Sequence, residues 1–368
     1  MGPDPTLTGH GPGQMPHAMH DDAPVSADVL LVALGSTAGL RRAEHELAGS
    51  LRRAGLSVAV ATAAPQRDVR TLMVTDLQWA RAARAAAVQG IAEHVPAKIV
   101  YAETTAALLW PRPGAIRFDA PAAANRPGRH GLWQRPLERR RLEQATLLLP
   151  WDTGALAELP GGGRPWTDRA VVVPVPVEPS GSPTPWAERD ITAITYAANP
   201  RKKGLDRVLA AWTAARHDGE ELVVCGIDAI PREMVASAGG PADGVRCTGM
   251  LDADAYRTLL RRARVYLTAP RREDHGLAQL EALADGCALV TTTAPGPYAA
   301  LAPARALDPR WVVKDGDDAH ALAGALRTAL DDPPDSLPGR ACAAVAGHRQ
   351  AAVDQIVAHV VVPRLLAR

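Results

Sequence analysis

The segment Glu273-Asp-His-Gly-Leu-Ala-Gln-Leu-Glu281 sets two carboxylates eight residues apart around Gly276. It follows the apolar run Val265–Thr268, so Gly276 is expected to open a helix after a buried strand and to aim free backbone amides beyond the strand end. Carboxylates accept hydrogen bonds from hydroxyls, and a sugar is a dense array of such donors. With a helix starting near Gly276, Glu281 lies more than a turn along it. The pair is then too widely spaced to flank one bond at the ~5–5.5 Å of a retaining hydrolase, and reads as two grips on different parts of an extended ligand. Upstream, Asn199-Pro-Arg-Lys-Lys-Gly204 places Arg201, Lys202 and Lys203 between a strand pattern and a helix pattern. Helix dipole, free amides and cations there all favour phosphate. Taken singly, each motif is equally the pattern of an exposed basic turn or of solvated surface glutamates.

The elements that must position these residues alternate. Asp28–Leu34 is a continuous apolar run, as in a strand buried on both faces of a parallel sheet. A helix pattern over Leu40–Arg53, stopped at Gly55, and a second strand pattern at Ser57–Thr62 complete a βαβ unit. Further strands are expected at Thr71–Val74, Lys98–Tyr101, Ala115–Phe118 and Thr146–Leu149. Prolines 174, 176, 179, 183 and 185 then mark Val171–Trp186 as a stiff extended connector. The rhythm resumes with strands at Asp190–Ala197, Glu221–Gly226, Gly244–Gly249, Val265–Thr268 and Ala288–Thr292. Helices are expected near Leu205–Arg216, Asp254–Ala263, Leu277–Asp285, Ala319–Leu330 and Ala341–Leu366. The expected fold class is α/β, two Rossmann-like doubly wound domains facing each other across a cleft, with the ligand at the carboxyl ends of the strands.

At 368 residues the chain is long enough for two such domains. Its 41 Lys+Arg against 40 Asp+Glu leave a net charge of +1, which argues against a nucleic-acid partner held by bulk charge. Lysines stand only at 98, 202, 203 and 314. In so arginine-rich a chain, the adjacent Lys202-Lys203 suggests a position where arginine would not serve. The four cysteines lie far apart with no metal-ligand spacing, as expected of buried thiols in a reducing compartment. No apolar run reaches the ~18–20 residues of a membrane span. The first 25 residues lack Lys, Arg and any apolar segment, so a disordered tail is expected rather than a signal peptide, with His10, His17 and His20 as potential metal chelators. A cytoplasmic location is expected.

From Ile191 to about Leu330 the sequence resembles the donor-binding half of retaining glycosyltransferases of family 4, the group 1 enzymes with the GT-B fold. The resemblance is carried by Lys203-Gly204, the Leu222–Gly226 strand, the Gly249 step, the Tyr256…Ala263 helix, Glu273-x7-Glu281, and Glu281-Ala-Leu-Ala-Asp-Gly286 followed by Ala288-Leu-Val-Thr. It implies a catalytic set of Glu273, Lys203 and Arg201. Lys203 would bind the donor diphosphate, with Lys202 beside it and Gly204 allowing close approach. Glu273 would hold the transferred sugar, Glu281 the ribose, and the amides of Gly276, Leu277 and Ala278 the distal phosphate. The loop Gly35–Gly39, through Gly35 and Gly39, would close over the donor. The chain departs from the family in four places. Ala197 and Ala198 stand where an Arg is usual, so Arg201 or Lys202 would substitute. His275 replaces a common Phe, with either a packing role or a donor contact. Ala294-Pro-Gly-Pro-Tyr298 replaces a Gly-Gly-x-x-Glu pattern, and Arg117-Phe118-Asp119 replaces a His-Asp-like pair.

On this reading residues 1–25 are a tail, 26–178 an acceptor-side domain, 179–189 a Pro-rich linker, 190–338 the donor domain, and 339–368 a final helix crossing back onto the first domain. The expected reaction moves a sugar from a nucleoside-diphosphate sugar to an unidentified acceptor by a front-face mechanism. The donor is a co-substrate with UDP, GDP or dTDP unresolved, and neither another cofactor nor a metal is expected. Acceptor contacts are expected from Asp119, Arg129 and His130. The basic, Trp133-bearing stretch Arg126–Arg141 suits an anionic acceptor or peripheral membrane contact, and equally a solvated helix face balanced by Glu138 and Glu143. Two alternatives stay open. One is a non-catalytic sugar-nucleotide-binding subunit. The other is an NAD(P)-dependent oxidoreductase, disfavoured because Gly35-Ser-Thr-Ala-Gly39 is not GxGxxG.

Overall fold

The structure, a computed structural model, describes residues 26–67, 69, 71–238, 243–334 and 336–367. The tail expected over residues 1–25, with His10, His17 and His20, lies outside the described residues. Two parallel sheets form the two cores. In the first, β1 (Val29–Ala33), β2 (Val58–Thr62), β3 (Lys98–Tyr101), β4 (Ala115–Phe118) and β5 (Leu148–Pro150) are arranged 2-1-3-4-5. In the second, β6 (Ile191–Tyr196), β7 (Leu222–Cys225), β8 (Val245–Cys247), β9 (Ala263–Leu267), β10 (Ala288–Thr292) and β11 (Val312–Val313) are arranged 11-10-9-6-7-8. Strands such as Val-Leu-Leu-Val-Ala in β1 are buried throughout because helices cover both sheet faces. The order reverses beside β1 in the first sheet, which pairs with both β2 and β3, and beside β6 in the second, which pairs with both β7 and β9. Strand ends at such reversals splay apart and leave a crevice. The loops after β1, β3, β6 and β9 therefore converge on the site.

Three sequence expectations are corrected. Thr71–Val74 is not a strand but the start of the helix Leu72–His94, with Leu72 and Val74 exposed. Its apolar, β-branched residues mimic a strand, and the alanine-rich stretch that follows carries them into a helix. The Pro-rich segment is extended, as expected, but its first half is not a bare connector. Val171, Val173, Val175 and Val177 are all buried, and the amides of Val171 and Val173 bond to the carbonyls of Leu148 and Pro150 in β5. Prolines fit between them because an edge position needs an N–H only at alternate residues. Val171 and Val173 pack in the first domain's core, and Val177 in the second's. Third, the single helix expected over Ala341–Leu366 is two elements, broken at Arg349, whose backbone is extended. Leu337–Ala344 packs on the second domain. From Gln350 the chain crosses back and lays Val353, Val357, Val361 and Leu365 against Val29, Leu31 and Leu47 of the first, through a wide π turn at Val357–Val361 just before Pro363. No helix among the described residues is long and apolar enough to cross a membrane.

Candidate functional site

Two glycines set the local geometry on the second domain. Gly204, at φ +63°, turns the chain from the β6 loop into the helix Leu205–Ala215, and a Cβ there would lie 1.9 Å from the Ala269 carbonyl oxygen. Gly276, at φ +87°, does the same after β9 for the helix Leu277–Ala284. Both left-handed positions favour glycine, and together they bring two helix N-termini to one place. The cleft they border has a volume of about 700 Å³ and is lined by Lys202, Lys203, Glu273, His275, Gly276, Leu277, Ala278 and Glu281, with Gly39 and Arg42 opposite. It is of the size of small-molecule sites.

The carboxylates are buried in spite of their charge because each is partnered. Glu273, 4% exposed, accepts from Lys203 Nζ at 2.7 Å and from Gln279 Nε2 at 2.8 Å. Glu281, 8% exposed, pairs with Arg42 from the first domain, and Arg257 lies 3.9 Å away. Lys202 Nζ donates to Asp274 at 2.9 Å. Partial desolvation works against the Lys202 ammonium, but the Asp274 carboxylate outweighs it and holds the group above its ordinary value. His275 is buried edge-on to Trp151, with Nδ1 3.0 Å from Asp152 Oδ2, so it packs between the domains and also lines the cleft. Its Nε2 is buried without a hydrogen-bond partner in the protein. The loop Ala294–Tyr298 does not line the cleft. It braces Glu273 from behind, the Pro295 carbonyl accepting from the Glu273 amide at 3.0 Å.

On the first domain a second cavity of about 570 Å³ opens beside the first, and Thr37, Asp119, Lys202 and Asp274 line both. Burial, then Asp274, push Asp119 up to about 6. Gly35 lies apart from the cleft: its amide and that of Leu34 bond to the Glu44 carboxylate, so they are already occupied. Arg201 is exposed and does not line the cleft, and its carbonyl accepts from Arg271. Arg129 and His130 stand exposed on a short 3-10 turn away from both cavities. The stretch Gln134–Gln144 is not simply a solvated face, because Gln134 and Glu138 are buried and line the second cavity. Among the described residues no group of three or more His, Cys, Asp or Glu side chains is placed to hold a metal ion. Sequence reasoning missed Arg42, Arg257, Glu103, Asp152 and Gln279. Gln279 alone carried a local signal, standing between the two glutamates on the helix that Gly276 opens.

Lys203, Glu273 and Glu281 lie within a part of the chain that matches a known family, whereas Arg42, the partner of Glu281, lies outside it. Residues 189–332 match the family model of group 1 glycosyl transferases. That match contains Lys202, Lys203, Gly204, Glu273, Gly276 and Glu281, the whole second-domain wall of the cleft. The chain as a whole shares the GT-B fold with several solved structures. Sucrose-phosphate synthase from Thermosynechococcus elongatus superposes with a TM-score of 0.69 at 15% identity, covering 91% of this chain and 98% of that one. A glycosyltransferase from Rickettsia africae gives 0.65 at 13%, covering 92% and 99%. The Anabaena protein HepE in complex with UDP and glucose gives 0.63 at 15%, covering 91% and 99%. No curated protein matches the chain in sequence.

Proposed function

We propose that this protein transfers a hexosyl group from a nucleoside-diphosphate sugar to an acceptor held by the first domain, with retention of configuration and without a metal ion, as a cytoplasmic family 4 enzyme. The observation that carries the reading is the shared rim. Lys202 and Asp119 line both cavities, so an anion docked among Lys202, Lys203 and the two helix N-termini would present its reacting end to a second, polar cavity. Complexes of HepE with UDP and with UDP and glucose support a nucleotide-sugar donor. Glu273 would accept from sugar hydroxyls and Glu281 from ribose hydroxyls, each exchanging a basic partner for the ligand. In the transfer the bond from the anomeric carbon to the diphosphate oxygen breaks and its electron pair stays on the diphosphate. An acceptor oxygen forms its bond on the same face and passes its proton to the departing phosphate oxygen. Lys203 and the amides at Gly276–Ala278 would stabilise that leaving charge, the task a cation performs elsewhere.

A non-catalytic sugar-nucleotide-binding role is the second reading, favoured by Ala198, which lines the cleft with no basic side chain. Thermal-shift screening against UDP, GDP, ADP and dTDP, then mass spectrometry of the matching nucleotide sugar with the protein, separates the two. The transfer reading expects stabilisation by one nucleotide and slow donor hydrolysis that survives EDTA. Lys203→Ala is expected to lower that hydrolysis by roughly 10²–10³-fold. Nucleotide binding with no turnover at all supports the binding role instead.

A further inference from the structure

The second cavity has a charge pattern that the transfer of a sugar does not by itself require. Its lining carries Asp76, Glu103, Asp119, Glu138 and Asp274 against Arg126 and Lys202. Both of those cations are engaged. Arg126 Nε bonds to Asp76 at 2.8 Å, and Lys202 to Asp274 at 2.9 Å. Glu138, 2% exposed, accepts from the Ala122 amide. Glu103 stands in the loop after β3, at the reversal of the first sheet, where the crevices of open α/β sheets take their ligands. It is 8% exposed, and its Oε1 is buried with no hydrogen-bond partner. Gln134, from a different element, lines the same cavity, and its Oε1 is likewise buried and unpartnered. These are acceptor oxygens, taken out of water and left without donors, which is costly unless a ligand supplies them. Arg117 acts on Glu103 through space, but it is buried, donates to the Ala43 carbonyl and is shared with Glu44 and Asp119. The cavity thus wants hydrogen-bond donors and positive charge. Among the described residues, no three of these carboxylates are grouped to hold a metal ion.

We propose that the acceptor carries a protonated amino group, held by Glu103 and Gln134 in this cavity, while the hydroxyl to be glycosylated lies at Asp119 on the shared rim. This rests on the glycosyl-transfer reading and adds the chemical class of the acceptor. An ammonium brings three donors and a charge, meeting both unpartnered oxygens and the surplus of carboxylates. Burial, then repulsion from Asp119, holds the Glu103 carboxyl well above its ordinary range, so a bound ammonium would also draw a proton off it.

The test is calorimetric titration of the full chain, first with UDP and the other nucleoside diphosphates, then of the nucleotide-saturated protein with glucosamine, glucose and N-acetylglucosamine. Glucosamine and its N-acetyl form share a ring and differ in the charged amine. Glucosamine is expected to bind about tenfold tighter than either neutral sugar, and Glu103→Gln is expected to abolish that preference. Equal or reversed affinities, no glucosamine binding, or a preference unchanged in Glu103→Gln overturns the proposal. Should Glu103→Gln fail to fold, the wild-type comparison of the three sugars decides alone. Nucleotide binding without amine preference overturns only this inference, whereas absence of binding by every nucleotide overturns the transfer reading itself.

Discussion

Glu273, Asp274 and Glu281 in the cleft each already have a cation, so a ligand that engages them must compete with the protein's own charges. Arg42 is the clearest case. It reaches from the first domain to Glu281 and also donates to the Pro176 carbonyl at 3.2 Å. With its side chain a third exposed, the pair is screened, and its contribution is of the order of 1 kcal/mol or less. If Glu281 is the ribose contact, Arg42→Ala is expected to tighten UDP binding by about 2- to 5-fold, measured by titration calorimetry. Weaker binding in that variant would make Arg42 a donor contact in its own right. Asp119 supports a pH prediction. Burial, with Asp274, lifts it to about 6, against help from His275 and Lys202, and Arg117 and Glu103 also act in its neighbourhood. The carboxylate form therefore exists above about pH 6 and is lost as pH falls through that value. If the acceptor hydroxyl bonds to that carboxylate, kcat/KM for the acceptor is expected to fall about tenfold per pH unit below about 6, and Asp119→Asn to remove the inflection.

Elements, rather than residues, decide where the cations proposed to bind phosphate end up. Lys203 reaches the cleft from a loop that Gly204 folds under the Ala269 carbonyl and turns into a helix. Gly204→Ala is expected to cost about 2–4 kcal/mol, from the positive φ and the backbone clash together, and to lower nucleotide affinity in what remains folded. Chemical denaturation and a UDP titration check the two effects. The junction was legible in the sequence, since Arg201, Lys202 and Lys203 stand between a strand pattern and a helix pattern. The left-handed turn at Gly204 and its contact with Ala269 came only with the fold. The strand pattern misread at Thr71–Val74 shows the opposite limit. Four residues of apolar, β-branched sequence have no fixed local preference, and the helix that follows recruits them.

Across the whole chain, the two domains are tied by buried backbone as well as by charge. Val171–Val177 runs from one core into the other, His275 meets Asp152, and Arg272 meets Glu158 at 2.9 Å. The C-terminal segment completes the first domain's core through Val353, Val357, Val361 and Leu365, each 3% exposed or less. Val357→Asp is expected to destabilise the protein by about 3–5 kcal/mol, read as a drop in Tm, because it puts an unpaired charge into that core. An unchanged Tm would show that the crossing segment is not part of the folding unit.

Local patterns were enough to set most of the alternation of strands and helices and the two-domain fold, and to single out the loops that form the second-domain wall of the cleft. Those patterns are apolar runs ended by glycine, cations before a helix, and carboxylates on either side of its first turn. Glu273 and Glu281 could be singled out because the residues that position them are their sequence neighbours. The opposite wall needed the folded chain. Arg42 faces Glu281, Asp152 faces His275, and Glu103, Gln134 and Asp119 share one cavity, all brought together from segments far apart in the chain. Folding also left Arg201, Arg129 and His130 outside, although their types and neighbours recommended them. The difference is one of range. Backbone preference and side-chain periodicity act over a few residues, whereas the facing wall of a cleft is set by how two sheets reverse their strand order and dock.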